Sequence, residues 1–440
     1  MEDDVVERIA SFLPRKEAHK LAILSTRFRN SWKFCRDFSF DRDFAKNLSK
    51  DEFKSLVNKI FNEHLNSKAD KFKLCFDATG ETALVSQWIK NAIRLGINEF
   101  ELDFTPSGKI FMLSYDMIDV ESIKTIKLVK CELYLPFASN GLRHLRDLTI
   151  ERVKARPVTI QAVFINCLAL RSLQLINCSS VSSLKIPSGG PKGFKKLVVK
   201  DCWDVHSIAI NAPKLCTLHY HGKICEFKFQ SDFPELNDVI LDIAHPRGFQ
   251  MLPHRKDMMI SLTFIRSLTV SSAFLEGLSA RFEDNEYREM EFCLWNLKEF
   301  HLVVAKESFI NPYDIVIFLK KCPRIERVFI DLGDNAFGNS LYWDFHGRKL
   351  FSECRALFPF LNIVKVKGFT FKELPVTMGK FFLKNAIYLQ SLIIVKAKNY
   401  IFPQLFTPDW LKWEIPSRAK IEIYEYLNDK SVIIPQHLKI

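Results

Sequence analysis

From Phe72 onward, apolar positions recur in the order apolar-x-x-apolar-x-apolar. The pattern begins in the runs Phe72-Lys73-Leu74-Cys75-Phe76 and Ile97-Asn98-Glu99-Phe100-Glu101-Leu102. It returns as Ile123-x-x-Ile126-x-Leu128, Leu145-x-x-Leu148-x-Ile150, Leu170-x-x-Leu173-x-Leu175, Phe194-x-x-Leu197-x-Val199, Leu215-x-x-Leu218-x-Tyr220 and Leu236-x-x-Val239-x-Leu241. Farther along come Ile265-x-x-Leu268-x-Val270, Leu297-x-x-Phe300-x-Leu302, Ile325-x-x-Val328-x-Ile330, Leu361-x-x-Val364-x-Val366 and Leu389-x-x-Leu392-x-Ile394. Central positions 126, 148, 173, 197, 218 and 239 advance by 22, 25, 24, 21 and 21 residues; those at 268, 300, 328, 364 and 392 follow after 29, 32, 28, 36 and 28.

A short strand repeated at a spacing of roughly 20–29 residues is the leucine-rich-repeat signature, and three repeats carry it on to Cys131, Cys178 and Cys202 at its Asn/Cys position. The fold class expected is therefore α/β: a leucine-rich-repeat solenoid with a strand-lined concave face and a mixed helix and strand convex side. Ser49 and Asp51 predict the start of an amphipathic helix carrying Phe53, Leu56, Val57, Ile60, Phe61 and Leu65, and Val85, Trp88, Ile89, Ala92 and Ile93 predict another. Second strand-like runs at Leu184-Lys185-Ile186, Ile208-Ala209-Ile210 and Phe227-Lys228-Phe229 predict strands on the return side, whereas Ile315, Val316, Phe318 and Leu319 predict a return helix. Alternation along each strand sends the residue between its last two apolar positions outward. That row reads Glu101, Lys127, Thr149, Gln174, Val198, His219, Ile240, Thr269, His301, Phe329, Lys365 and Ile393. Its mixed chemistry suits a protein or peptide, so Lys127 through Phe329 are the candidate target-binding residues.

The N-terminal residues read differently. Val5, Val6, Ile9, Phe12 and Leu13 follow the acidic Asp3 and Asp4 at helical spacing until Pro14 breaks the helix; Ala18, Leu21, Ala22 and Leu24 suggest a second helix. Ser25 reads as the N-cap of a third, bearing Phe28 and Trp32. Three such helices cannot bury this apolar surface among themselves and need a partner. The stretches Asp3-Asp4-Val5-Val6-Glu7-Arg8-Ile9-Ala10-Ser11-Phe12-Leu13-Pro14-Arg15-Lys16-Glu17-Ala18 and Leu24-Ser25-Thr26-Arg27-Phe28-Arg29-Asn30-Ser31-Trp32 resemble the F-box motif, closest to that of the plant F-box proteins with leucine-rich repeats. The resemblance implies docking onto a Skp-type adaptor, and through it a cullin, by Val6, Ile9, Leu13, Pro14, Leu21, Leu24, Ser25, Phe28 and Trp32. The segment Leu361–Phe369 with Phe381-Phe382-Leu383-Lys384-Asn385-Ala386 and Leu389-Gln390-Ser391-Leu392 resembles the C-terminal FBD segment of the same family. The expected domains are an F-box at 1–46, the repeat solenoid at 47–355, and FBD-like repeats and tail at 356–440.

Composition narrows the chemistry. Of 440 residues, 48% are hydrophobic and 26% charged, enough to bury a large core rather than remain disordered. No run approaches the roughly 18 apolar residues of a membrane span, and the acidic opening Met1-Glu2-Asp3-Asp4 is unlike a secretory signal, so no membrane partner is expected. Eleven cysteines without a C-x-x-C pair indicate a reducing compartment, cytoplasm or nucleus. The net charge of +12 is spread out, the densest basic runs being the short Pro191–Lys196 and Lys320-Lys321, so no nucleic-acid partner is expected. Cys216, His219, His221 and Cys225 offer donor atoms, but the spacing matches no common closed zinc site, and Leu215, Leu218 and Tyr220 explain the segment as a strand. No P-loop, H-E-x-x-H, G-x-S-x-G or dinucleotide fingerprint occurs, and neither metal nor cofactor nor catalytic residue is expected. The reading is a substrate-recognition subunit of a Skp-cullin-F-box ubiquitin ligase. A ligase-independent binding scaffold is the alternative, prompted by Met1-Glu2 where the family motif has Leu-Pro and by Phe28 where it has tryptophan.

Overall fold

The computed structural model describes residues 2–13, 17, 20, 34–63, 68–137, 141–244, 250–279, 291–305, 308, 310–333, 343–402, 408–413, 415–427, 429, 431 and 433–435. The chain divides into two compact units, residues 1–196 with 201–204, and 197–200 with 205–440.

The first unit contains strands β1 (Asp37–Phe40), β2 (Lys71–Cys75), β3 (Glu99–Asp103), β4 (Phe111–Leu113), β5 (Thr125–Val129), β6 (Cys131–Leu133), β7 (Asp147–Glu151), β8 (Ser172–Ile176) and β9 (Ser183–Ile186). Its main sheet runs β1-β2-β3-β5-β7-β8, every pair parallel and in register. β4 pairs with β6 in a short second layer. Helices α1 (Glu2–Ser11), α2 (Arg42–Ala45), α3 (Lys50–Glu63), α4 (Thr82–Arg94) and α5 (Pro157–Asn166) complete the unit. Ser49 starts α3 through a capping box: its amide donates to Glu52 Oε2 at 2.8 Å while the Glu52 amide donates to Ser49 Oγ at 3.3 Å. The expected stripe of α3 is buried at Phe53, Val57, Ile60 and Phe61, and that of α4 at Val85, Trp88, Ile89 and Ala92. The two stripes interlock through rings, with centroids 5.2 Å apart for Phe53 and Phe76 and 5.3 Å for Phe76 and Trp88. The Trp88 indole donates to Asn58 Oδ1 at 2.7 Å, so its one polar atom is satisfied.

The sheet starts ahead of the expected boundary at 46. Phe38 and Phe40 of β1 are buried and paired with Phe72 and Leu74, so residues assigned to the F-box region already belong to the repeat sheet. In the next repeats the chain leaves the strand through a residue with left-handed backbone, Lys130, Arg152, Asn177 and Asp201, with φ of 54°, 52°, 49° and 57°. This turn delivers Cys131, Val153, Cys178 and Cys202 into the core. The Cys178 thiol donates to the Ile150 carbonyl at 3.3 Å, and Cys202 to that of Leu175 at 3.5 Å, so each buried thiol has a backbone acceptor.

The second unit contains β10 (Lys196–Lys200, from Leu197), β11 (Ser207–Ile210), β12 (Thr217–Gly222), β13 (Glu226–Phe229), β14 (Asp238–Ile243), β15 (Ser267–Ser271), β16 (Glu299–Val303), β17 (Arg327–Asp331), β18 (Ile363–Phe369), β19 (Ser391–Lys396) and β20 (Lys420–Tyr424). Its helices are α6 (Arg255–Ser261), α7 (Ser272–Ser279), α8 (Pro312–Lys320), α9 (Arg348–Glu353) and α10 (Glu373–Asn385). The main sheet runs β10-β12-β14-β15-β16-β17-β18-β19-β20, with parallel registers from β12 to β20. β11 and β13 pair on the return side, as the second apolar runs predict. Where repeats lengthen, helices take that place: α8 begins at Asn311, whose side chain accepts from the Tyr313 and Asp314 amides at 2.9 and 3.2 Å, with Pro312 in the first turn. A bulge interrupts β18 at Gly368, where φ is 78° and an added Cβ would lie 2.3 Å from the Gly333 carbonyl oxygen. Both units carry the expected α/β leucine-rich-repeat architecture. Among the described residues no helix is long and apolar enough to cross a membrane.

Candidate functional site

In-register pairing turns the expected outward residues into rows. In the first unit the partners run Ser39, Lys73, Glu101, Lys127, Thr149 and Gln174. Glu101 lies between two cations, 3.5 Å from Lys73 and 3.1 Å from Lys127. All six side chains are half-buried, open on one side. In the second unit the row runs His219, Ile240, Thr269, His301, Phe329, Lys365, Ile393 and Glu422. Val198 holds the outward, half-buried position of β10.

The C-terminal half of that second row is not open. Phe329, expected on a free face, is 3% exposed, and Thr269, Lys365 and Ile393 are buried with it. The physical reason at Lys365 is the chain's own tail. Its ammonium donates to Asp429 Oδ2 at 2.5 Å, Ser431 Oγ at 2.6 Å and the Ile433 carbonyl at 3.1 Å, which satisfies all three of its donors. A cavity of about 130 Å³ remains beneath, lined by His301, Phe329, Lys365, Lys367, Ile434 and Pro435 among others. Lys367 salt-bridges Asp331 at 3.3 Å and lies 5.1 Å over the Tyr426 ring. Burial works against the Lys367 charge, but Asp331, Tyr426 and Asp429 together outweigh it and hold the ammonium above its usual range. Burial likewise pushes the Asp429 carboxyl up, yet the Lys365 and Ser431 donors hold it below the ordinary carboxylate range. The sequence pattern missed this clamp because Asp429 and Ser431 lie beyond the last recognised repeat, 64 and 66 residues from Lys365.

His219 and His221 of β12 and Cys216 just ahead of it face carboxylates, whereas Cys225 past its end meets the Glu226 carbonyl at 3.7 Å. His219 Nε2 is 2.8 Å from Asp238, His221 Nε2 is 3.6 Å from Asp242, and Cys216 Sγ is 3.7 Å from Glu235. Among the described residues no three His, Cys, Asp or Glu side chains are placed to hold a metal ion. Burial pushes the thiols of Cys131, Cys167 and Cys225 up to about 12, so at neutral pH they are protonated packing groups rather than nucleophiles.

At the N-terminus, α1 turns Ala10 inward and leaves Val5, Ile9 and Phe12 56%, 44% and 79% exposed. A spacing of four residues puts Val5 and Ile9 on one side of the helix, and Phe12 follows in the turn just past its end. Leu13 is half-buried, and its carbonyl accepts from the Cys35 thiol at 3.1 Å. Pro14, Leu21, Leu24, Ser25, Phe28, Trp32 and the Val6 side chain lie outside the described residues.

With this geometry in view, residues 60–402 match the family described as "At1g61320/AtMIF1, LRR domain". The chain is similar to the FBD-associated F-box protein At1g61320 of Arabidopsis thaliana, 30% identical over 409 residues that cover 90% of this chain and 88% of the relative. It is also similar to the F-box/FBD/LRR-repeat protein At5g53840 of the same plant, 25% identical over 342 residues, covering 76% of this chain and 73% of the relative.

Proposed function

From a chain that belongs to the plant F-box/FBD/leucine-rich-repeat family, we propose a substrate-recognition subunit of a Skp-cullin-F-box ubiquitin ligase. The N-terminal helices hold a Skp-type adaptor, and the outward sheet face of the repeats takes a target protein. The subunit performs no bond chemistry of its own; it raises the effective concentration of a target lysine near the charged ubiquitin carrier. Cytoplasm or nucleus is the place for this work.

The observation that carries the reading is the apolar side of α1. Val5 and Ile9 stand in water on a helix that buries Ala10 beneath it, Phe12 follows exposed in the turn just past its end, and exposed apolar groups of this kind are stabilised by a partner. Co-expression with a Skp-type adaptor, followed by size exclusion, tests it. The wild-type chain is expected to elute with the adaptor and Ile9→Asp to elute alone. A wild type that never co-elutes would sink the ligase reading and leave a scaffold that binds its partner without a ligase.

A further inference from the structure

We propose that the edge of the first unit where its strands begin docks an acidic segment, a short run of Asp and Glu, in the protein that the repeats bind. Four cations stand there in four consecutive repeats: Lys124, Arg146, Arg171 and Lys195, each just ahead of its strand or one residue short of it. In sequence they are 22, 25 and 24 residues apart, which is why the charge reads as scattered. The fold closes those gaps. The Arg146 amide donates to the Lys124 carbonyl at 2.7 Å, Arg171 to Arg146 at 2.7 Å and Lys195 to Arg171 at 2.8 Å. Residues bonded in this way are one strand spacing apart, about 4.8 Å, so the four span about 14 Å, the length of four or five residues of extended chain.

All four side chains are exposed, and none has a carboxylate partner among the described residues. The nearby acid Glu121 is shared by Arg143 at 3.8 Å and His144 at 4.0 Å; Asp147, next to Arg146, leaves the edge still strongly positive. A row of like charges held this close by the backbone repels itself and is relieved by an anion. The second unit shows what an edge without this charge looks like. Its equivalent residues run Cys216, Asn237, Arg266, Lys298, Glu326, Asn362 and Gln390 along a backbone ladder of its own, and Lys298 is neutralised by Glu326 at 2.7 Å.

Carboxylate rather than nucleic acid is the better fit. The positions beside the ladder are Thr125, Asp147, Ser172 and Lys196, then Lys127, Thr149 and Gln174 on the outward face, without a ring on which a base could stack. The two central arginines offer planar forks matched to carboxylates.

The proposal rests on the repeats as the target-binding part and not on adaptor docking, which the co-elution experiment tests separately. Fluorescence anisotropy of labelled hexaglutamate on the purified chain, against hexaglutamine, reads it directly. Hexaglutamate is expected to bind, to weaken as salt rises from about 50 to about 200 mM, and to bind about fivefold more weakly to Arg146→Gln/Arg171→Gln, as loss of two exposed charge pairs implies. The return-side variant Lys154→Gln/Lys185→Gln removes the same charge and is expected to bind like wild type. Equal losses in both variants, no hexaglutamate binding at all, or tighter binding of oligouridylate or a phosphoserine peptide through Arg146 and Arg171 would overturn the proposal.

Discussion

The outward faces of the two units share a backbone and differ in what lies on them. In the first unit, Lys73, Glu101 and Lys127 make half-buried ion pairs, and the half-buried Thr149 and Gln174 continue the row. In the second, Phe329, Lys365 and Ile393 hold the same outward positions but are buried, with Lys365 roofed by Asp429, Ser431 and Ile433. Strand pairing decides only which side chains line up. Whether the row is a binding face depends on what else in the chain reaches it, and a lysine with all three donors satisfied by its own tail is structural, whereas Lys127 is held by one partly exposed pair worth about 1 kcal/mol or less.

The largest expected effect comes from breaking the covered side of this comparison at its backbone. Gly368 combines a φ of 78° with a gap that leaves no room for a Cβ beside the Gly333 carbonyl. Gly368→Ala is expected to cost about 3 kcal/mol or more, seen as a lower midpoint in urea unfolding. An unchanged midpoint would mean that the bulge in β18 relaxes freely. A smaller effect sharpens the comparison at the tail. The Asp429 carboxyl is held below its ordinary value, so its contribution is complete above the unfolded value near 3.9 and is lost as pH falls through the lower folded value. Hydrogen exchange of the 429–435 segment, corrected for the intrinsic rate, should be unchanged from about pH 7 to pH 5 and rise only below about pH 4. Asp429→Asn should raise it at neutral pH as well; a tail that loosens between pH 7 and pH 5 would point to a group other than Asp429.

Most of the repeat frame was legible because it obeys a local rule. Every central residue from Ile126 to Leu392 lies in a strand, and the return strands at Leu184, Ile208 and Phe227 and the helix at Ile315 are present. The two sheet ends were not legible, for opposite reasons. β1 uses Phe38 and Phe40 inside a stretch that resembles another motif, and β20 has Arg418 where the pattern wants its first apolar residue, so only Ile421 and Ile423 alternate. The outward row was readable to the residue, since a period of two fixes the face, but its covering was not. Lys365 carries no local sign that a segment 64 residues on will lie over it. The cation ladder escaped for a related reason: charge density along a chain says nothing about charge density across repeats.

The most direct measurement of the open and covered faces is the rate at which their lysines react with an amine-acetylating reagent, read by mass spectrometry on the folded chain. The Lys127 side chain is 43% exposed and that of Lys365 is 7% exposed with all its donors taken. Lys127 should therefore be modified about tenfold faster or more at neutral pH, and Asp429→Asn should narrow the gap. Equal rates in the wild type would contradict the account, because the second unit's face would then be as free to receive a partner as the first.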